Sequence, residues 1–517
     1  MNRFLRLLAI LSLGYSDLVR SQVTENWTAI YSFNGYGNES WESVFSFEMD
    51  IQGNSYAFGA TYDSINRSFL VKFDPAGNLQ WASVEDYSSG RRMVIDSSGN
   101  PVCASWKTDL LSWDSTIVTK WNPDGNVEWE ITYQGYDPTD MGIDHSGNIV
   151  ILSDLNSAPG DPRILTKITS SGEILWSTSV SLGYSESFGP YCRIGNDNSI
   201  YVISEQFEVI KFDSGGVLLW ENDLPGVLHS HRGYKASNAI AYDGRILLTG
   251  STEIFNYQNH PDLVACMINS DGNVAWYDTV GGDLFTGLSA IPFENNVEVI
   301  GIDSTRTKLY YLRFDLSGEL AAKILIEPNE FGLVPTDYKM DQNLNIYLAG
   351  YAKDTASVYS GMGLMKLDSS GNVMWNVFKS GSNEGNSYEH PFVSLDQNSN
   401  VMVAYTGNPD LWNFSIHDAT IVKYLQQLGG ISSVHVDESI QVFPNPSADK
   451  LAIELHDLGN ENCMIHISDE LGREVYRHEV PIGESRISIS IEEWHSGPYI
   501  ISLISESNIA SMKWLKL

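Results

Sequence analysis

The sequence predicts an all-β protein: a β-propeller of about eight four-stranded blades followed by a small Ig-like β-sandwich. Three observations carry this reading. One hairpin with a glycine and a tryptophan at fixed spacing recurs along most of the chain, a second hairpin alternates with it, and the repeat stops near residue 429.

The first hairpin reads VKFDPAGNLQW at 71–81, TKWNPDGNVEW at 119–129, TKITSSGEILW at 166–176, IKFDSGGVLLW at 210–220 and MKLDSSGNVMW at 365–375. Its glycines, Gly77, Gly125, Gly172, Gly216, Gly272, Gly318 and Gly371, stand 44 to 56 residues apart. That period is too long for a leucine-rich or ankyrin unit and fits a four-stranded propeller blade. The flanks alternate apolar and polar as strands do, and glycine supplies the positive φ that a short hairpin loop demands. Four residues after the glycine stand Trp81, Trp129, Trp176, Trp220, Trp276 and Trp375, with Ala322 the one exception. A large ring at one place per unit implies a recurring buried slot, so Trp176→Ala is expected to cost about 3 to 5 kcal/mol.

The second hairpin starts at Asp50, Asp96, Asp144, Gly195, Tyr242, Glu294, Asp341 and Asp396, which makes eight against seven of the first kind. After the eighth, ATIVKYLQQ matches the beginning of a glycine-to-tryptophan hairpin and then breaks off. The missing half lies at the other end of the chain, in NWTAIYSF with Trp27. An N-terminal strand that completes the last blade would remove an open sheet edge. This arithmetic gives eight blades, with seven and one irregular unit as the alternative.

Composition excludes several function classes. With 65 acidic against 31 basic residues the net charge is −34, which repels nucleic-acid phosphates and anionic lipid. Charged residues are only 19% of the chain and aromatics reach 11%, the balance of a folded, strand-rich protein and not of an acidic disordered one. Residues 1–21 place Arg3 and Arg6 ahead of the apolar stretch Leu7 to Leu13 and end on Ser21, the order of a secretory signal peptide. No later stretch has the roughly 18 apolar residues of a membrane span. Cys103, Cys192, Cys266 and Cys463 lie far apart without CxxC spacing, which indicates small buried hydrophobes in place of zinc or a disulfide framework.

The alternating Asp-x-x-Gly-Asn and Lys-x-Asp-x-x-Gly hairpins resemble the bacterial β-propeller repeat family over residues 27–425. A weaker likeness to quinoprotein propellers fails at the docking motif, since Asp74 to Gly77 is one residue short, and no CxxCH site is present. No cofactor is expected. Residues 22–428 are therefore read as the propeller and 429–433, with Gly429, Gly430, Ser432 and Ser433, as a linker. Residues 434–517 resemble the C-terminal sorting domain of the Bacteroidetes type IX secretion system. Its motifs fall on Pro444, Asn445 and Pro446, on Leu451 and Ile453, on Gly472, on Gly497 and Tyr499, and on Lys513 and Lys516. The resemblance implies passage through the periplasm, recognition by the type IX machinery, and release or surface attachment.

The sequence contains no GxSxG elbow, phosphate loop or HExxH. His229 and His231 lack a third ligand nearby, and Asp341, Asn343 and Asn345 precede Ile346 where a calcium loop needs glycine, so an Asx turn is favoured and no metal is expected. The connections between second and third strands are long and aromatic in several units, with Trp106, Trp113, Tyr257, Tyr359, Trp412 and Phe414. In a propeller these emerge on one face, where they would form a binding rim for a glycan or protein. The expectation is an exported, non-catalytic binding propeller; the alternative is a secreted polysaccharide-active enzyme with carboxylates on the propeller face.

Overall fold

The structure is a computed structural model. It describes residues 23–516 except 32–40, 63–64, 108–114, 156–161, 183–189, 205–207, 225–238, 243, 253–261, 282–283, 293–295, 304–307, 327–331, 354–358, 381–390, 407–418, 427–439, 444–449, 456–462, 469–473, 482–485, 492–493, 496 and 505–508. Among the described residues no helix is long and apolar enough to cross a membrane. Two compact units are present, Val23–Gln426 and a second drawn from the chain beyond it.

Val23–Gln426 forms eight four-stranded antiparallel sheets. Blades 1 to 7 take their strands in chain order: Trp41 to Asp86, Ser88 to Gln134, Pro138 to Val180, Tyr191 to Asp223, Ala239 to Val280, Leu284 to Ile326 and Gly332 to Ser380. Blade 8 takes three strands, Phe392–Leu395, Val401–Thr406 and Ala419–Gln426, and its fourth is the N-terminal strand Val23–Tyr31. That strand pairs antiparallel with Ala419–Gln426, Val23 opposite Gln426 and Tyr31 opposite Ala419. Eight apolar clusters lie between successive blades, from Tyr56, Phe58 and Cys103 between blades 1 and 2 round to Phe69, Met402 and Ile421 between blades 8 and 1. The core is thus an annulus of sheet-on-sheet contacts, and the eight-blade reading with its N-terminal closure holds. Cys103, Cys192 and Cys266 are buried, unpaired members of it.

Both tight hairpins are built on one device. In the turn from Asp341, the carboxylate Oδ1 accepts the amides of Asn343 and Asn345 at 2.9 and 3.0 Å, and Oδ2 accepts the Asn345 side chain and the Tyr347 hydroxyl at 2.8 Å each. The carboxylate is consumed by its own turn, which confirms the Asx reading. The fourth turn position has positive φ; Gly fills it at Gly53, Gly99 and Gly147, whereas Asn198, Leu344 and Ser399 adopt it without glycine's freedom.

The blade tryptophans do not fill a uniformly buried slot. All but Trp375 lie on the turn glycine of the next blade: a Cβ on Gly125 would meet Trp81 at 2.8 Å, on Gly172 Trp129 at 2.8 Å, and on Gly216 Trp176 at 2.8 Å. Trp276 and Trp375 are buried, but Trp81, Trp129, Trp176 and Trp220, on the same outer strands of their blades, are half-buried. The half-exposed ring lowers the expected cost of Trp176→Ala to about 2 kcal/mol, checked by denaturant unfolding. A sharper contrast separates the hairpin classes. Gly172 and Gly147 both have positive φ, yet a Cβ on Gly147 meets nothing within 4 Å. Gly172→Ala should therefore cost about 1 to 2 kcal/mol more than Gly147→Ala; equal losses would show that the ring does not seat on the turn.

Beside five of the rings a lysine of the third strand reaches the same turn; beside Trp276 the position is Met267. Lys72 and Trp81 of blade 1 both donate to the Pro123 carbonyl of blade 2, at 2.8 and 3.0 Å. The pattern repeats with Lys120 and Trp129 on Ser170, Lys167 and Trp176 on Ser214, Lys211 and Trp220 on Ser270, and Lys423 and Trp27 on Pro75. The buried ammonium also pairs with the aspartate of its own blade, Lys167 with Asp144 at 2.7 Å and Lys120 with Asp96 at 2.9 Å. Where Ala322 replaces tryptophan, Tyr311 and Arg313 take over, both donating to Ser369, with Arg313 held by Glu298 at 2.8 Å.

The C-terminal unit has two sheets, Ile440–Phe443 with Lys450–Leu455 and Arg486–Ser490, and Glu474–Val480 with Cys463–Ser468, Gly497–Ile504 and Ile509–Lys516. Leu451, Ile453 and Ile487 of the first sheet share one cluster with Ile465, Ile467, Tyr499 and Ile501 of the second, which makes a small sandwich.

Candidate functional site

The topology sorts the connections. First-to-second and third-to-fourth strand turns lie on one face of the ring, and these are the short Asx hairpins. Second-to-third strand connections and those between blades begin and end on the opposite face, and they include 108–114, 252–262 and 407–418. One face is therefore regular and the other variable, which is where loops carry recognition. Trp106 closes the second strand of blade 2 on this variable face, and the backbone of Tyr359 opens the third strand of blade 7 there. Trp113, Tyr257, Trp412 and Phe414 fall outside the described residues, as do His229 and His231.

Around Trp106 blades 1, 2 and 3 bring together a cationic and aromatic cluster. Its ring meets Tyr136 edge-on at 4.6 Å, and the Arg91 guanidinium lies 5.5 Å from it and 4.8 Å from the ring of Phe45. Arg91 Nε donates to Asp137 at 2.9 Å and Nη1 to the Tyr62 hydroxyl at 3.4 Å. Trp106 thus has neighbours on its own sheet system, and sequence reasoning missed Arg91, Tyr62 and Asp137; the Arg-Arg pair at 91–92 in an otherwise acidic chain was the available signal.

The inner strands carry a polar belt. A bulge in each of four of them turns the following residue to the next blade. Ser46 accepts the Met93 amide at 3.2 Å, Arg92 donates to the Thr139 carbonyl at 2.6 Å, Asp140 accepts the Cys192 amide and Arg193 at 3.0 and 2.9 Å, and Asp337 accepts the Val393 amide at 3.0 Å. Burial pushes Asp337 up to about 6, against the opposing pull of Lys339. The charge of Glu48 in turn raises Lys339. Elsewhere, burial and then the neighbouring Glu130 push Glu85, on the fourth strand of blade 1, up to about 7. These two carboxyl groups stand on different blades, one inner and one outer, and do not form an acid–base pair. Among the described residues no three His, Cys, Asp or Glu side chains gather for a metal.

The raised groups set a pH dependence. A carboxyl whose pKa rises on folding stabilises below its unfolded value near 4 and loses that contribution as pH climbs through the folded value. Asp96 and Asp144 have the opposite sign: burial raises them, but lysine and asparagine donors outweigh it and hold them low, so their contribution is lost in acid. Thermal stability should therefore fall between pH 5 and 8. Glu85→Gln should remove part of that decline, on the order of 1 kcal/mol after solvent screening; an unchanged profile would place Glu85 in water.

In the C-terminal unit Tyr499 is buried, donates to the His495 carbonyl at 2.8 Å and packs on Trp494 at 5.1 Å. Gly497 opens the penultimate strand, and Lys513 and buried Lys516 lie on the last, Lys516 opposite Gly497. Leu451 and Ile453 are in the core; Pro444, Asn445, Pro446 and Gly472 fall outside the described residues.

Residues 441–516 match the family described as the secretion system C-terminal sorting domain. No curated protein matches the chain. Solved structures similar to it include BamB from Moraxella catarrhalis, at 13% identity over 66% of this chain and 95% of that one with a TM-score of 0.34. The Dos1 propeller matches at 10% identity over 78% and 95%, TM-score 0.45, and the C-terminal WD40 domain of Sif2 at 10% over 78% and 99%, TM-score 0.44. The chain ends in a type IX sorting domain and is an exported propeller protein.

Proposed function

We propose that this exported protein binds a glycan or a protein at the cell surface or in the medium through the variable face of its propeller, without catalysing a reaction. The observation that supports the reading is the division of connections: the described tight hairpins lie on one face, while the strands that flank the long, aromatic connections end on the other. Of the two carboxyl groups raised toward neutrality, Asp337 is engaged in structure, accepting backbone amides at both oxygens. Residues 1–21 would direct the chain to the periplasm and residues 429–433 would join the propeller to its sorting domain.

The test is a glycan array and a surface-protein pull-down with the mature protein, beside variants Trp106→Ala, Trp113→Ala and Trp412→Ala. Retention of a defined ligand, weakened about tenfold or more by loss of a rim aromatic, is the expected result. Binding unaffected by all three would move the site off this face. Turnover of a bound polysaccharide would establish the enzymatic alternative instead.

A further inference from the structure

At six of the eight junctions, the cation of one blade is received by a backbone carbonyl in the third-to-fourth strand turn of the next, as Lys72 is by Pro123 and Lys423 by Pro75; blade 5 has Met267 at that position. The junction from blade 7 to blade 8 has no such turn, because the fourth strand of blade 8 comes from the N-terminus. There Lys366 Nζ donates instead to the side-chain Oε1 of Gln426 at 2.6 Å. The same amide uses Nε2 to reach the Tyr347 hydroxyl of blade 7 at 2.7 Å and the Ser399 carbonyl of blade 8. Its backbone amide donates to Asn400 Oδ1 at 3.1 Å. Gln426 is also the last residue of the propeller unit and pairs with Val23, the first residue of the closing strand.

We propose that Gln426 is the latch of the ring: its amide replaces the missing turn carbonyl, so the blade 7 cation finds its partner at the seam only when the residue at which the chain leaves for the C-terminal module is in place. A second tie, Lys379 to Glu25 at 3.0 Å and to Thr28 at 2.9 Å, holds the closing strand to blade 7 but does not involve that residue. A chain that emerges N-terminus first therefore carries an unfastened closing strand until its propeller is complete. Closure then coincides with arrival of the sorting module.

The test uses the full chain with Gln426→Ala, Lys366→Met and the double variant, read by hydrogen exchange of the closing strand Val23–Tyr31 and of the fourth strand of blade 2, Val127–Gln134, as a control. Each single variant should speed exchange in the closing strand about tenfold or more, the effect of losing a charge-assisted hydrogen bond, with the control strand unchanged. The double variant should exchange more slowly than the two single effects added together, because both variants remove the Lys366–Gln426 bond. Unaltered exchange in the closing strand, equal acceleration in both strands, or additive effects in the double variant would each overturn the latch. If Gln426→Ala does not fold, Lys366→Met against the control strand decides alone, since it fills the same volume without the donor.

Discussion

Deletion of residues 22–34 should cause the protein to aggregate, with a stability loss above roughly 5 kcal/mol, beyond the range of ordinary single substitutions. The deletion removes the whole partner of Ala419–Gln426 and exposes that strand's unpaired amides and carbonyls. It also removes Ala29 from the core between blades 8 and 1, and Trp27 from its seat on Gly77, where its indole donates to Pro75 at 3.0 Å. Both junctions of blade 8 are then damaged, and a ring with one open junction exposes the faces of blades 7 and 8 as well. Size-exclusion chromatography and thermal unfolding check this. A monomeric truncated protein that melts with the intact one would mean that the closing strand adds nothing to the ring.

The repeat made most of this fold readable. A turn glycine followed four residues later by tryptophan fixes where two strands end and which of them is outermost, and the count of eight second hairpins against seven first ones forced the N-terminal closure. Individual contacts were less legible. The tryptophans were read as buried because their spacing says only that the environment recurs; that the environment is a glycine on the next blade depends on the angle between sheets, which no local pattern encodes. The lysine two residues before the turn was visible in most copies of the repeat, but its partner lies about 50 positions away in the next blade. Gln426 carries no signal at all, since its role follows from what blade 8 lacks. At the candidate site the aromatic connections could be located but not their neighbours: Arg91 meets Trp106 because a bulge after Gly90 redirects the inner strand, a local irregularity that periodicity cannot announce.

Removal of residues 434–517 should abolish appearance of the protein outside the outer membrane while leaving the propeller folded. Among the described residues the propeller's eight clusters are built within Val23–Gln426 and the C-terminal cluster from Leu451 onward, so each unit has a core of its own. Export, in contrast, rests on the matched sorting domain at 441–516. The truncated chain should accumulate in the periplasm with the thermal transition of the propeller intact, and the intact chain should reach the surface or medium of the same host. If the sorting domain is removed there, the secreted form should be smaller by about 8 to 9 kDa, at roughly 110 Da per residue for a domain of this size. The cut must then fall beyond Gln426, because a cut before it would take the latch away with the module and leave an exported propeller with a loosened seam. Mass spectrometry of the secreted form gives that boundary directly. Equal surface display of truncated and intact chains would refute the sorting role, and a secreted form ending before Gln426 with an unloosened closing strand would refute the link between closure and exit.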